Sequence, residues 1–170
     1  LANDRVFGES GNDLLGGGPD GGNDTLDGGT GDDGLYGDAG NDILFAGSNN
    51  DLLDGGNDDD ELFGESGDDT LLGASGRDTL SGGQDDDILE GESGDDILNG
   101  GAGEDSFVFS NITDVGLDTI EGFSFEDGDK IQIVGDGFNI DTNEIDRFTF
   151  NSSSREVFFD DQAFAVIEGN

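Results

Sequence analysis

The chain has no cysteine, histidine, methionine or tryptophan, a single proline, a single tyrosine and only five basic residues. Without cysteine there are no disulfides and no thiolate metal sites, and the redox compartment cannot be read. Without histidine or cysteine, neither a Ser/His/Asp set nor a thiol nucleophile can be built, and the one lysine is Lys130. Catalysis would fall to carboxylates, and any pair picked from so many would be arbitrary. The chain is therefore expected not to be an enzyme, with any catalytic activity placed in an upstream domain of a larger protein. Phosphates could be met only by Arg5, Arg77, Lys130, Arg147 and Arg155, which excludes nucleic acid as a direct partner. No apolar run approaches the length of a transmembrane helix, and no basic segment followed by an apolar one opens the chain, so membrane insertion is not expected. The calcium loop of an EF-hand is missing too, because no D-x-[DN]-x-[DN]-G run occurs.

What is abundant is acid. Forty-three Asp and Glu residues among 170 give a formal net charge of −38 and a pI near 4.1, with only 31% hydrophobic residues. Such a composition lies near the disordered range, since little apolar surface is available to offset ordering entropy and self-repulsion. The hydrophobes are nevertheless periodic. The expectation is a chain that is unfolded alone and orders when cations neutralise it.

The period is nine residues. Aspartate recurs at Asp33, Asp42, Asp51, Asp60, Asp69, Asp78, Asp87, Asp96 and Asp105, and two positions later stand Leu35, Leu44, Leu53, Leu62, Leu71, Leu80, Leu89, Leu98 and Phe107. Asp24, Asp13 and Asp4 stay in phase on either side of a two-residue insertion near Gly18 and Pro19. Each repeat is a Gly/Asp-rich turn followed by a short apolar strand, with the leucines and Phe107 as core. The fourth position is glycine or else Asn49, Asp58 or Asp85, residue types that tolerate a left-handed backbone, so a positive φ is expected there. Two repeats, eighteen residues, complete one flattened coil.

After Phe107 phenylalanine becomes dense. The alternation in Lys130 to Val134 and in Arg147 to Phe150 predicts half-buried antiparallel strands, with a hairpin loop from Asn151 to Ser154 before a strand from Glu156 to Asp160. An open array needs a cap over its last core layer, and this region supplies one. The acidic Asp141, Glu144 and Asp146 are taken as solvated loop residues, and the sequons at Asn111 and Asn151 as incidental.

GGTGDDGLY (28 to 36) and GGAGEDSFV (100 to 108), with about ten further nonapeptides between Asn3 and Val108, closely resemble the GGxGxDxUx repeats of RTX (hemolysin-type) calcium-binding proteins. The elements D-x-I-x-x-F at Asp118 to Phe123 and G-D-K-I at Gly128 to Ile131 resemble those that follow such arrays. The resemblance implies an all-β, right-handed parallel β-roll over residues 1 to 108, followed at 109 to 170 by a cap and type I secretion-signal region. The apolar-acidic end from Phe164 to Asn170 is similar to such a signal, and the start at Leu1 inside a repeat suggests a C-terminal piece of a larger chain. The resemblance further implies a secreted bacterial protein whose partners are calcium ions and the type I secretion machinery, with an upstream catalytic or toxin domain possible.

In a parallel stack, same-edge loops lie about 4.8 Å apart. Asp4, Asp24, Asp42, Asp60, Asp78 and Asp96 then line one edge, and Asp13, Asp33, Asp51, Asp69, Asp87 and Asp105 the other. Neighbouring carboxylates at that distance repel by about 0.8 to 3.5 kcal/mol, so the columns need cations. Oxygen ligands without histidine or cysteine select calcium, and magnesium is less suited to the geometry. In the family each ion takes aspartates from two successive same-edge loops plus glycine-loop carbonyls. On that basis Glu9, Asp38, Glu65, Ala74 and Glu92 replace the second glycine because their side chains need not reach the ion, whereas Ala46, Arg77 and the insertion are expected to weaken neighbouring sites. A calcium-dependent adhesion or polysaccharide-binding module is the alternative function.

Overall fold

The computed structural model describes residues 2–110, 116–134, 148–151, 156–159 and 162–168. Nothing else is described, so 152–154 of the hairpin loop, together with Asn111, Asp141, Glu144, Asp146 and Arg147, lies outside these residues.

Two sheets face each other, built from strands that alternate between them along the chain until the last three, which all join one sheet. One sheet stacks β1 (Arg5–Phe7), β3 (Thr25–Thr30), β5 (Ile43–Ser48), β7 (Glu61–Ser66), β9 (Thr79–Gln84), β11 (Ile97–Ala102) and β13 (Asp118–Glu121), then β17 (Gln162–Glu168), β16 (Glu156–Phe159) and β15 (Phe148–Asn151). The other stacks β2 (Leu14–Gly16), β4 (Gly34–Tyr36), β6 (Leu52–Asn57), β8 (Thr70–Ser75), β10 (Ile88–Ser93), β12 (Ser106–Phe109) and β14 (Lys130–Ile133). The architecture is all-β, a parallel β-solenoid.

Register carries the period into space. Leu44 pairs with Leu62 and Leu62 with Leu80 in one sheet, while Leu53 pairs with Leu71 and Leu71 with Leu89 in the other, so the coil is eighteen residues. Between the sheets these side chains form a single file: Leu26, Leu35, Leu44, Leu53, Leu62, Leu71, Leu80, Leu89, Leu98 and Phe107 are all fully buried. Full burial of each leucine contributes on the order of 1.5–3 kcal/mol. The insertion forms a turn at Pro19 and Asp20, and there the register steps by twenty, Arg5 to Thr25 and Leu14 to Gly34, without breaking either sheet.

The winding does not stop at Val108. β13 pairs in parallel with β11, and β14 in parallel with β12, adding Ile120 to the buried file and packing Ile131 and Ile133 against it. Lys130 to Ile133 is thus a parallel strand, contrary to the antiparallel pairing expected from its alternation. Period-two alternation reports one buried face, which a solenoid strand has as well, and says nothing of strand direction. Antiparallel pairing appears later, between β15 and β16 and between β16 and β17. Phe123 leans on Phe107 with ring centroids 5.9 Å apart, covering the last core layers.

Candidate metal centre

With the first glycine of a nonapeptide as position 1, the repeated aspartate is position 6 and the core residue position 8. In each turn, position 6 lies just before the strand. The backbone N–H of Asp24 donates to Asp42 Oδ1, that of Asp42 to Asp60 Oδ1 and that of Asp60 to Asp78 Oδ1, at 2.7, 2.7 and 2.8 Å. On the opposite edge the same bonds run from Asp33 to Asp51, Asp51 to Asp69 and Asp69 to Asp87, at 2.7, 2.8 and 2.9 Å. Two uninterrupted columns result. Asp4 and Asp13 join through bonds to Asp24 and Asp33 of 2.7 Å each, although Asp4 is exposed and Asp13 only half-buried at the end of the stack. The ten aspartates from Asp24 to Asp105 are buried.

Only one carboxylate oxygen of each is accounted for by these bonds. Oδ2 of Asp13, Asp24, Asp33, Asp42, Asp51, Asp60, Asp69, Asp78, Asp87, Asp96 and Asp105 is buried and accepts nothing. A buried oxygen left in this state costs roughly 1–3 kcal/mol, more if charged. Burial first, and the charges of column neighbours among the lesser causes, push Asp60 up to about 8, Asp69, Asp78 and Asp87 to about 7, and Asp42 and Asp51 to about 6. Such groups demand either a proton or a cation.

The space beside each Oδ2 is shaped by position 1. A Cβ placed on Gly55 would stand 2.6 Å from Asp60 Oδ2 and 2.9 Å from the Gly73 carbonyl oxygen of the next coil; on Gly73 it would stand 2.7 Å from Asp78 Oδ2 and 2.8 Å from the Gly91 carbonyl. A carboxylate oxygen and a carbonyl oxygen therefore border one small gap that glycine keeps open. Among the described residues no three acidic side chains converge on one point. The columns bring carboxylates together in pairs, and the remaining donors are backbone carbonyls, a hard, all-oxygen set that fits calcium.

The departures noted in the sequence leave the columns in register. Arg77 turns outward, its guanidinium 2.6 Å from Asp59, while Asp78 keeps both of its column bonds. Ala46 is fully buried in the core, and the column passes it through Asp33 and Asp51.

Two column members escape the nine-residue count. The Asp96 N–H donates to Asp118 Oδ1 at 3.1 Å, and the Asp105 N–H to Asp129 Oδ1 at 3.2 Å, across separations of 22 and 24 residues instead of 18. The signal was present in the spacing of Asp118 to Ile120 and Asp129 to Ile131, an aspartate two residues before a core hydrophobe. The D-x-I-x-x-F and G-D-K-I elements thus begin with the strand-entering halves of two further, longer coils.

A search of curated proteins found no match to the chain. The family model of the RTX calcium-binding nonapeptide repeat (4 copies) matches residues 2–20, 19–53, 36–71, 45–80 and 72–107. Those matches tile well over half of the chain and coincide with the stacked coils, so the chain belongs to the RTX calcium-binding nonapeptide repeat family, and its repeats bind calcium ions.

Proposed function

We propose that this chain is a calcium-gated folding module of a secreted bacterial protein. The observation that carries it is the file of buried, unpartnered Oδ2 atoms along both edges. Calcium held between successive loops by Asp24, Asp42, Asp60, Asp78 and Asp96 on one edge, and by Asp33, Asp51, Asp69, Asp87 and Asp105 on the other, would satisfy those oxygens and neutralise the columns. Asp4 and Asp13 extend the same ligand rows. Carbonyls of position 1 complete each site.

The consequence follows from mass action. Where calcium is scarce, as in a cytosol, the chain with its net charge of −38 stays unfolded and threadable through a type I exporter. Where calcium is millimolar, each occupied site adds RT ln(1 + [L]/Kd) to the stability of the folded state, and many sites fill together. In this reading residues 1 to 108 are the calcium-binding array, and residues 109 to 170 carry the cap and the export signal. The module itself is not catalytic and serves a larger secreted protein. Far-ultraviolet circular dichroism tests it: coil-like in chelator and β-rich in millimolar calcium is expected, and a spectrum unchanged by chelator would overturn the reading.

A further inference from the structure

We propose that the methyl group of Ala46 closes the ion gap beside Asp51, so that one junction inside the array is joined on that edge without calcium. This rests on the reading of the columns as calcium sites.

Ala46 stands at position 1, where the other nonapeptides from Gly28 to Val108 have glycine. Phe45 pairs with Phe63 and Gly47 with Glu65, so Ala46 lies opposite Gly64 of the next coil. The gaps on either side of it along the same edge are open. A Cβ on Gly28 would stand 2.6 Å from both Asp33 Oδ2 and the Ala46 carbonyl oxygen, and one on Gly64 would stand 2.5 Å from both Asp69 Oδ2 and the Gly82 carbonyl oxygen. By the same register the Ala46 Cβ is a real carbon in the corresponding gap, the one bordered by Asp51 Oδ2 and the Gly64 carbonyl. Ala46 is fully buried and belongs to the hydrophobic core. Calcium binds oxygen at about 2.3–2.6 Å, and a methyl packed against the same two oxygens leaves it no room. The Ala46 carbonyl still borders the Asp33 gap, so the substitution removes one ion and not two.

The backbone is undisturbed. The Asp51 N–H donates to Asp69 Oδ1 at 2.8 Å, and Asp51 Oδ1 accepts the Asp33 N–H at 2.7 Å. What the methyl takes away is the space alone. A second, independent observation falls at the same junction. Phe45 and Phe63, the residues immediately before Ala46 and Gly64, are stacked with ring centroids 5.1 Å apart and planes 12° apart. Among the described residues no other pair of rings joins two coils of the nonapeptide array. This contact holds the two coils together with no need of a cation. The opposite edge keeps glycine at Gly37 and Gly55, and with it open gaps beside Asp42 and Asp60.

Native mass spectrometry of the full chain at saturating calcium, compared with Ala46→Gly and Gly64→Ala, counts the ions. Ala46→Gly is expected to hold one ion more than the unsubstituted chain, and Gly64→Ala one fewer, because it moves a methyl into the Asp69 gap. An unchanged count in either variant would overturn the proposal. A chain that binds no calcium at any site would instead remove the reading of the columns, and this proposal with it. If Gly64→Ala does not fold, crystals of the unsubstituted chain and of Ala46→Gly grown with terbium decide. An anomalous peak beside Asp51 Oδ2 in Ala46→Gly alone is expected; a peak there in both chains or in neither, with the flanking gaps filled, sinks the idea.

Discussion

Glycine serves the repeats in two physically separate ways, with Ala46 the one departure at position 1 among the nonapeptides from Gly28 to Val108. At position 1 it is there for space, because a Cβ would crowd the Oδ2 of its own aspartate and the next coil's carbonyl, as at Gly55 and Gly73. At positions 2 and 4 it is there for handedness. The expected positive φ at position 4 is found, with Asn49 at 84°, Asp58 at 77° and Asp85 at 74°. Position 2 is equally left-handed, and this was hidden because glutamate, aspartate and alanine stand there so often. Glu9, Asp38, Glu65, Ala74 and Glu92 lie at φ 66° to 73°, while the glycines of that position lie at 99° to 121°. No repeat places a non-glycine residue at both positions. A non-glycine residue there costs roughly 1–2 kcal/mol, partly offset by its smaller loss of chain entropy on folding. Ala74→Gly should accordingly raise stability by about 0.5–1 kcal/mol, read as a higher urea midpoint at saturating calcium. A lower midpoint would show that the turn at Ala74 is unstrained.

At the scale of strands and turns, the loops carry a second ladder that the nine-residue pattern leaves blank. Position 5 was an unassigned polar site, yet its side chains accept from the backbone of the following coil. The Asp68 N–H donates to Asn50 Oδ1 at 3.2 Å, the Asp86 N–H to Asp68 Oδ1 at 3.1 Å, and the Glu104 N–H to Asp86 Oδ1 at 2.8 Å. This ladder runs opposite to that of position 6, where each N–H points to the following coil's carboxylate. Adjacent coils are therefore clasped in both directions. Asparagine and aspartate serve alike, since only an acceptor oxygen is needed, which is why no single residue marks the position. Asp68 also adds to the charge felt by Asp69 and Asp87. Asp68→Ala, losing an exposed acceptor, should destabilise by about 0.5–1 kcal/mol. Asp68→Asn should keep the bond, relieve repulsion and lie at or above the parent's urea midpoint in low calcium; equal losses for both would remove the ladder's role. The coil length and the leucine file were legible because nine-residue phasing survives folding unchanged. β13 and β14 were obscured because longer connections shift them out of phase, to separations of 22 and 24 residues.

Across the whole molecule, the proposed calcium-gated folding carries a second consequence, because the same carboxylates should make folding respond to protons. In the metal-free roll, burial above all holds Asp60 and Asp118 up at about 8, Asp69, Asp78 and Asp87 at about 7, and Asp42, Asp51 and Asp96 at about 6. Unfolded aspartates titrate near ~3.9. Because the folded values are raised, the folded state binds more protons, and the stability these groups contribute is fully present below the unfolded range. It is lost as pH rises through 6 to 8. In chelator, acidification from about pH 8 to about pH 5 should therefore bring out β-rich circular dichroism without any metal, protons standing in for cations along both columns. On the proposed ligation calcium displaces those protons, so its half-saturating concentration should rise as pH falls over the same interval, with proton release detectable in weakly buffered titrations. A metal-free chain that stays coil-like at pH 5, together with calcium affinity independent of pH, would mean that the aspartates are ionised and solvated in the folded state. Net charge alone would then govern folding, and neutralising exposed residues such as Asp68 would be as effective as neutralising the buried columns.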